Sequence, residues 1–366
     1  MNKPQSYSYW ESEEWLQTPD LLIIGGGIVG ASTALFYKQK FPDREVLILD
    51  KGMMPEGAST RNAGFACIGS ISEHLADIKT AGKDVVFGRI KRRWKGLSLL
   101  KGTMGEEAIG YQSTGGHEIF TDVLTFEMCK NRIPEINRQM QEHLGIDGVY
   151  KAVEYEGFPA IFNRVEGALN SGSLMKNLHR RLSEMGVVTH WNCKVDSVGK
   201  HSVKLNNGAE LQANTILLAT NGFTSRLTDL PIKPARGYVF ITNPIENLKW
   251  QGTFHFDEGY IYFRNVENRL LMGGARNVAK EDEETDLFGV NPSIKEHLIR
   301  FASEILKLPE GWEIGLEWSG IMGMTENKEP IVKEISPKIW VAAGLSGIGI
   351  AIGMEVAKDV VEKMTS

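Results

Sequence analysis

One turn of six residues constrains this chain more than any other feature. Gly25-x-Gly27-x-x-Gly30 follows the apolar run DLLII (20–24) and opens an apolar-periodic segment from about 28 to 40. Gly25 permits a tight turn, Gly27 lets backbone approach a pyrophosphate, and Gly30 lets helix and strand pack closely. The helix start, with Ile28 and Val29, offers free N–H groups and a positive dipole end. A second continuous apolar strand, EVLILD (45–50), ends at Asp50, followed by Lys51. Asp50 lies 20 residues beyond Gly30, where an acid takes ribose hydroxyls. Strand, glycine turn, helix, strand and acid together specify a dinucleotide-binding βαβ unit. Strands without polar alternation belong to a parallel sheet covered on both faces.

Further along, the patterning changes. Residues 236–275 read as short strands (GYVFIT, GYIYFRN, RLLMGGA) with turn signals between them, the mark of an antiparallel sheet. GGHEIFTD (115–122) predicts another strand, and 202–220 a hairpin with an Asn-Gly turn followed by a buried strand. Helical periodicity covers about 72–108, 125–144, 174–185, 293–307 and the C-terminal segment. The expected fold class is α/β: a Rossmann-type domain with a parallel sheet, plus an inserted α+β substrate domain with an antiparallel sheet. The expected boundaries are 1–85, 150–235 and 319–366 for the discontinuous nucleotide domain, and 86–149 and 236–318 for the insert. Residues 1–19, with Tyr7, Tyr9, Trp10 and Trp15, read as a short extension. The basic stretch Arg89, Lys91, Arg92, Arg93, Lys95 and the acidic stretch 281–286 both read as solvated surface, with a basic docking face as the other reading of the first.

Composition narrows the function. There are 41 Lys and Arg against 46 Asp and Glu, a net charge of −5, so the phosphate-neutralising charge of a nucleic-acid binder is missing. Cys67, Cys129 and Cys193 form no metal or redox spacing, which fits a reducing compartment, and the expected location is the cytoplasm. The longest apolar stretch, 21–36, contains four glycines and is preceded by acids, so it reads as neither a signal peptide nor a membrane span. None of the eight histidines shows a metal-ligand spacing such as H-E-x-x-H, so no metal is expected.

The choice between NAD(P) and FAD rests on two further segments. ILLATNGFTS (216–225) is a buried strand whose end, at Ala219, Asn221 and Gly222, brings backbone back over the dinucleotide. Gly344-Leu-Ser346-Gly347-Ile348-Gly349 opens the last helix, either as a simple turn or as a second helix N-terminus aimed at a flavin ring. An NAD enzyme does not need that second device, so the expected cofactor is FAD.

Taken together, these residues resemble the D-amino-acid oxidase superfamily of FAD-dependent oxidoreductases over about 20–364. The resemblance runs through the fingerprint, GASTRNAGF (57–65), EGALNSGSLMKNL (166–178), ILLATNGFTS, the pair GYIYFRNVENRLLMGG (259–274), WSGIMGMTENKEPIV (318–332) and GLSGIGIA (344–351). GASTRNAGF and ENRLLMGG are most similar to the branch that includes gamma-glutamylputrescine oxidases. The resemblance implies FAD contacts from Ser59, Arg61, Asn62 and Ala63, and a backbone contact from Val195 to the adenine. On its own chemistry, Arg61 suits a phosphate, a substrate carboxylate or plain surface. Tyr260 and Tyr262, alternating with Ile261, share one face of a strand, which is either a chamber wall, together with Met322, or an ordinary core or edge face. Family members that link flavin covalently use a cysteine where 318–332 has none, so FAD is expected to be non-covalent. The family's carboxylate-clamping arginine is replaced here by Ile321–Met322–Gly323, a lysine by Ala351, and the oxygen-activating lysine by Leu271.

The expected reaction is oxidation of the C–N bond of a small-molecule amine or amino acid by hydride transfer to flavin N5, with the imine then hydrolysed. No side-chain base is expected. The alternatives are a dehydrogenase of a hydroxy acid or amine with a non-oxygen acceptor, or a non-catalytic flavin-binding subunit. Either Arg61, Arg264 or Arg276 supplies the charge for a substrate carboxylate, or the substrate is an amine with its polar group remote, such as an acylated diamine. The apolar wall at Met322 favours the second.

Overall fold

The computed structural model describes residues 8–14 and 17–366; Tyr7 and Trp15 of the N-terminal stretch lie outside them. Tyr9–Glu14 forms a short exposed helix. Strand Leu21–Ile24 is buried at all four positions and lies at the centre of a six-stranded sheet. Val46–Leu49 and Val188–His190 follow it in parallel on one side, and Thr215–Leu218 and Ile339–Ala343 on the other. Ile331–Ser336 closes that edge antiparallel. Helices Ile28–Lys40, Lys83–Met104, Ser171–Glu184 and Gly349–Met364 contribute to the core on its covered faces. A Cβ at Gly96 would stand 2.0 Å from the Ala351 carbonyl, so the 83–104 and 349–364 helices cross in near backbone contact.

The second sheet has eight strands, in the order Ile314–Met324, Lys233–Thr242, Arg269–Gly274, Ile261–Val266, Thr253–Phe256, Gly116–Ile119, Phe158–Asn163 and Tyr150–Tyr155. All neighbours are antiparallel except Thr253–Phe256 with Gly116–Ile119. The 150–163 hairpin belongs here and not to the nucleotide segment that was expected to begin at 150. It turns at Glu156 and Gly157, both at positive φ. One face of this sheet packs on its own aromatic core, including Phe240, Phe254 and Phe263, all fully buried.

Two surface expectations fail. Lys91 and Lys95 are exposed, but Arg89 and Arg93 are buried. Arg89 pairs with Glu329 at 3.0 Å, Arg92 with Glu355 at 2.8 Å, and Arg93 with Glu73 at 2.9 Å. The basic stretch therefore ties the 83–104 helix to three other elements and is neither a solvated face nor a docking face. The acidic stretch is also anchored: Glu283 is fully buried and grips Arg236 through both oxygens, while Asp286 pairs with Arg226. A charge run read in one dimension carries no sign of partners distant in sequence. Among the described residues, no helix is long and apolar enough to cross a membrane.

Candidate functional site

A cavity of about 560 Å³ runs between the two sheets, and most of the residues singled out in the sequence line it. At one end lies the fingerprint turn. Gly25 sits at φ +106°, where a Cβ would come 2.7 Å from the Ala219 carbonyl. At Gly27 a Cβ would come 2.9 Å from the Ser59 hydroxyl, which accepts a hydrogen bond from the Ile28 N–H at 2.9 Å. The side-chain-free surface of Gly27 thus opens the start of the 28–40 helix to the cavity. Asp50 is fixed by two backbone donors, Gly26 N–H at 2.8 Å and Gly52 N–H at 2.9 Å. Burial nevertheless raises its pKa above the ordinary carboxylate value.

Gly25, Gly27, Ile28, Val29, Asp50, Lys51, Ser59, Arg61, Asn62, Ala63, Val195, Ala219, Asn221, Gly347, Ile348 and Gly349 all line the cavity. Gly30 and Gly222 do not. A Cβ on Gly30 would fall 2.0 Å from the Gly25 carbonyl, and one on Gly222 2.5 Å from the Met322 carbonyl, so both are packing glycines. Asn62 turns its amide on its own loop: it donates to Ala58 and Ser59 carbonyls and accepts from Gly64 N–H and the Ser171 hydroxyl. Asn221, at φ +45°, accepts from Gly344 and Leu345 N–H and so holds the turn that precedes the last helix. Lys51 lies over the Phe223 ring at 3.2 Å.

The other end of the cavity is made by the large sheet. Tyr260, Tyr262 and Met322 line it with Arg61. Burial pushes the Tyr262 hydroxyl up to about 12, so it stays protonated at neutral pH. Arg61 donates to the Ser319 carbonyl at 3.0 Å and stacks on Phe288, which accounts for part of its charge. Arg264 is not among the lining residues. It is buried, donates to the Gly64 and Leu169 carbonyls, and works as a clasp on the 63–65 loop.

Sequence reasoning missed the wall beside Tyr262, where Phe65, Cys67, Glu73, Arg93 and His255 line the cavity. His255 hydrogen-bonds the fully buried Glu166 at 2.5 Å. Burial opposes the imidazolium, but the Glu166 carboxylate outweighs it and His255 ends with a raised pKa. Cys67 is within 4.8 Å of this pair, and burial raises its thiol well above the usual range. No local motif announces the group, because its members come from separate strands and loops.

Comparisons with known proteins agree with this geometry. A family model described as FAD dependent oxidoreductase (DAO) matches residues 20–363. The protein named "Probable oxidoreductase OrdL" from Haemophilus influenzae is 24% identical over 92% of this chain and 80% of its own. L-proline dehydrogenase from P. horikoshii has the same fold with a TM-score of 0.76 at 19% identity, covering 95% of this chain and 94% of its own. Glycine oxidase from Geobacillus kaustophilus gives 0.75 at 20% identity, over 94% and 95%. These relatives support the family; they do not single out the gamma-glutamylputrescine branch.

Proposed function

The chain belongs to the DAO family of FAD-dependent oxidoreductases, and from that premise we propose that it oxidises the C–N bond of a small amine or amino acid. The residues present fit FAD. The glycine-opened helix start, the Asp50 carboxylate and the backbone turn 347–349 line one continuous cavity, and Gly27 leaves the space that a Cβ would fill. When bound, FAD supplies the two-electron acceptor that takes the hydride at N5. The observation that carries the substrate reading is the chamber of Tyr260, Tyr262 and Met322 at the opposite end of that same cavity. In this reading its walls hold the substrate carbon in place. The C–H bond next to nitrogen breaks with both electrons, the nitrogen loses its proton, and water then converts the substrate imine to a carbonyl compound and an amine or ammonia.

Gly25, Gly27, Ile28, Val29, Asp50, Ser59, Arg61 and Ala63 are the cofactor contacts in this reading, with Val195 toward the adenine and Gly347–Gly349 toward the flavin ring. FAD is held without a covalent bond in this reading, because the 318–332 segment, where related enzymes that link flavin carry a cysteine, has none. Product analysis tests the reaction: each equivalent of substrate consumed yields one carbonyl compound and one amine or ammonia. Measuring peroxide in air against dye reduction then separates an oxidase from a dehydrogenase. Turnover of hydroxy acids alone, without release of nitrogen, rejects the C–N reading.

A further inference from the structure

Beside Tyr262 the cavity wall holds three metal-ligating side chains that the chemistry above leaves without a task. The strand Phe65–Ala66 pairs antiparallel with Gly167–Ala168, Ala66 opposite Gly167. Continued by one residue, that register sets Cys67 across from Glu166, so thiol and carboxylate leave the end of one small ladder. His255 comes from the large sheet. On its strand it stands opposite Tyr262 on one side and Glu118 on the other. The Cys67 sulfur, a Glu166 carboxylate oxygen and a His255 ring nitrogen lie within 4.8 Å of one another. Cys67 and His255 line the cavity, with Glu166 behind them.

Two features set this group apart from an ordinary hydrogen-bonded cluster. Glu166 is 1% exposed; its Oε1 bonds to His255 Nε2, and its Oε2 finds no hydrogen-bond partner among the described residues. A buried oxygen left without a partner has lost its hydration with no return. The carboxylate is also fixed in place. A Cβ at Gly116 would come 2.4 Å from the Glu166 carboxyl carbon, so the group rests directly on the backbone of the strand Gly116–Ile119. The second feature is charge. Glu166, Glu118 and Glu73 all pull His255 toward its charged form. Arg93 offsets Glu73 by pairing with it, while Glu118 takes only the neutral hydroxyl and N–H of Ser72. Two buried carboxylates therefore share one imidazole, and a wall with more buried acid than base is completed by a cation.

We propose that Cys67, Glu166 and His255 bind a zinc-type divalent cation, whose fourth coordination position opens to the cavity. Thiolate, imidazole and carboxylate are the donors that zinc takes, and three protein ligands leave one position for water or another small donor. Hard ions such as calcium and magnesium take oxygen ligands and suit this set poorly. Around a tetrahedral zinc the donor atoms stand roughly 3.3–3.7 Å apart, so side-chain shifts of about 1 Å gather all three. Protons balance the binding. The thiol proton and the proton between His255 and Glu166 leave to solvent, the charge of the ion replaces theirs, and no electron moves. The ion joins the small 65–66 and 167–168 ladder to the large sheet, one strand from Tyr262. This reverses the sequence expectation of no metal. Ligand spacing within one segment gives no sign of a set whose Glu166 and His255 are 89 positions apart.

The test uses the FAD-loaded protein with its thiols reduced, stripped of metal by a chelator that is then removed. Zinc chloride is titrated by calorimetry into the parent, Cys67→Ser, Glu166→Gln and Cys193→Ser proteins, and FAD content is measured for each. X-ray absorption at the zinc edge is recorded on the parent and Cys193→Ser complexes. The parent takes one zinc per chain, with one sulfur at about 2.3 Å and nitrogen and oxygen at about 2.0–2.2 Å. Since even outer-shell changes cost about 10–100-fold, Cys67→Ser and Glu166→Gln are expected to lose roughly 100-fold or more in affinity. Cys193→Ser binds as the parent does. If the first two variants do not fold, the sulfur in the Cys193→Ser complex still decides. A parent that binds no zinc overturns the proposal, as does a bound zinc without sulfur. So does equal affinity in parent and Cys67→Ser, or a sulfur signal lost with Cys193. No arm uses an amine or amino acid, so failure here leaves the C–N reading untouched, and failure of that reading leaves the metal site standing.

Discussion

At the scale of single residues, Asp50 is the most exacting point. Its carboxylate already accepts from two backbone N–H groups, and burial raises its pKa. Ribose hydroxyls of FAD would add the charge-assisted bonds that such a group lacks. Asp50→Ala is expected to weaken FAD binding by about one to two powers of ten, the equivalent of roughly 1.5–3 kcal/mol for hydrogen bonds to a charged group. Equilibrium titration of apoprotein with FAD measures this, and a thermal melt shows that the variant still folds. Undiminished affinity means that Asp50 is not the ribose ligand. Asp50 was legible because it sits at a fixed distance from three glycines within one βαβ unit. The internal role of Asn62 was not, since the partners of its amide depend on how the 58–64 loop closes and on the distant Ser171 hydroxyl. His255 and Glu166 were illegible for another reason: they are 89 positions apart and meet only through tertiary packing.

Elements are held in register by charges that sequence patterning assigns to water. Arg93 on the 83–104 helix donates to Glu73 on the 71–81 helix and to the Ile68 carbonyl, both at 2.9 Å. Burial alone would push the Glu73 carboxyl up, but Arg93 outweighs this and holds it at about 2. A carboxyl with a depressed folded pKa contributes stability that is present above its unfolded value of about 4.3 and is lost as pH falls toward 2. Arg93→Met leaves Glu73 without its counter-charge and is expected to cost about 3 kcal/mol of unfolding free energy at neutral pH. The same variant flattens the loss of stability between pH 4.3 and 2. Urea unfolding of the FAD-saturated protein across that range measures both effects, and a variant as stable as the parent with the same acid limb would show that the pair is inert. Elements with one uninterrupted apolar period, such as 21–24 and 28–40, were read correctly from the sequence. The 150–163 hairpin escaped notice because Pro159 sits inside a strand that is paired on both sides, where proline argues against a strand.

The whole molecule places a dinucleotide cradle and a tyrosine-lined chamber in one cavity, with a parallel-containing sheet behind the first and a mainly antiparallel sheet behind the second. The architecture was legible because its parts differ in periodicity: continuous apolar strands in one, short alternating strands in the other. The cavity itself was not, since segments from the start, middle and end of the chain build it. The chamber's charge depends on which arginines find partners elsewhere, a property of the assembled fold alone. The proposed reaction requires this cavity to bring FAD against the carbon next to an amine nitrogen. The direct measurement is the visible absorbance of the purified, FAD-loaded protein during anaerobic addition of a panel of amines, amino acids and hydroxy acids. An amino acid or amine is expected to bleach the oxidised-flavin band to the two-electron reduced form, and an admitted electron acceptor to restore it. Bleaching by hydroxy acids with none by any amine or amino acid would contradict it.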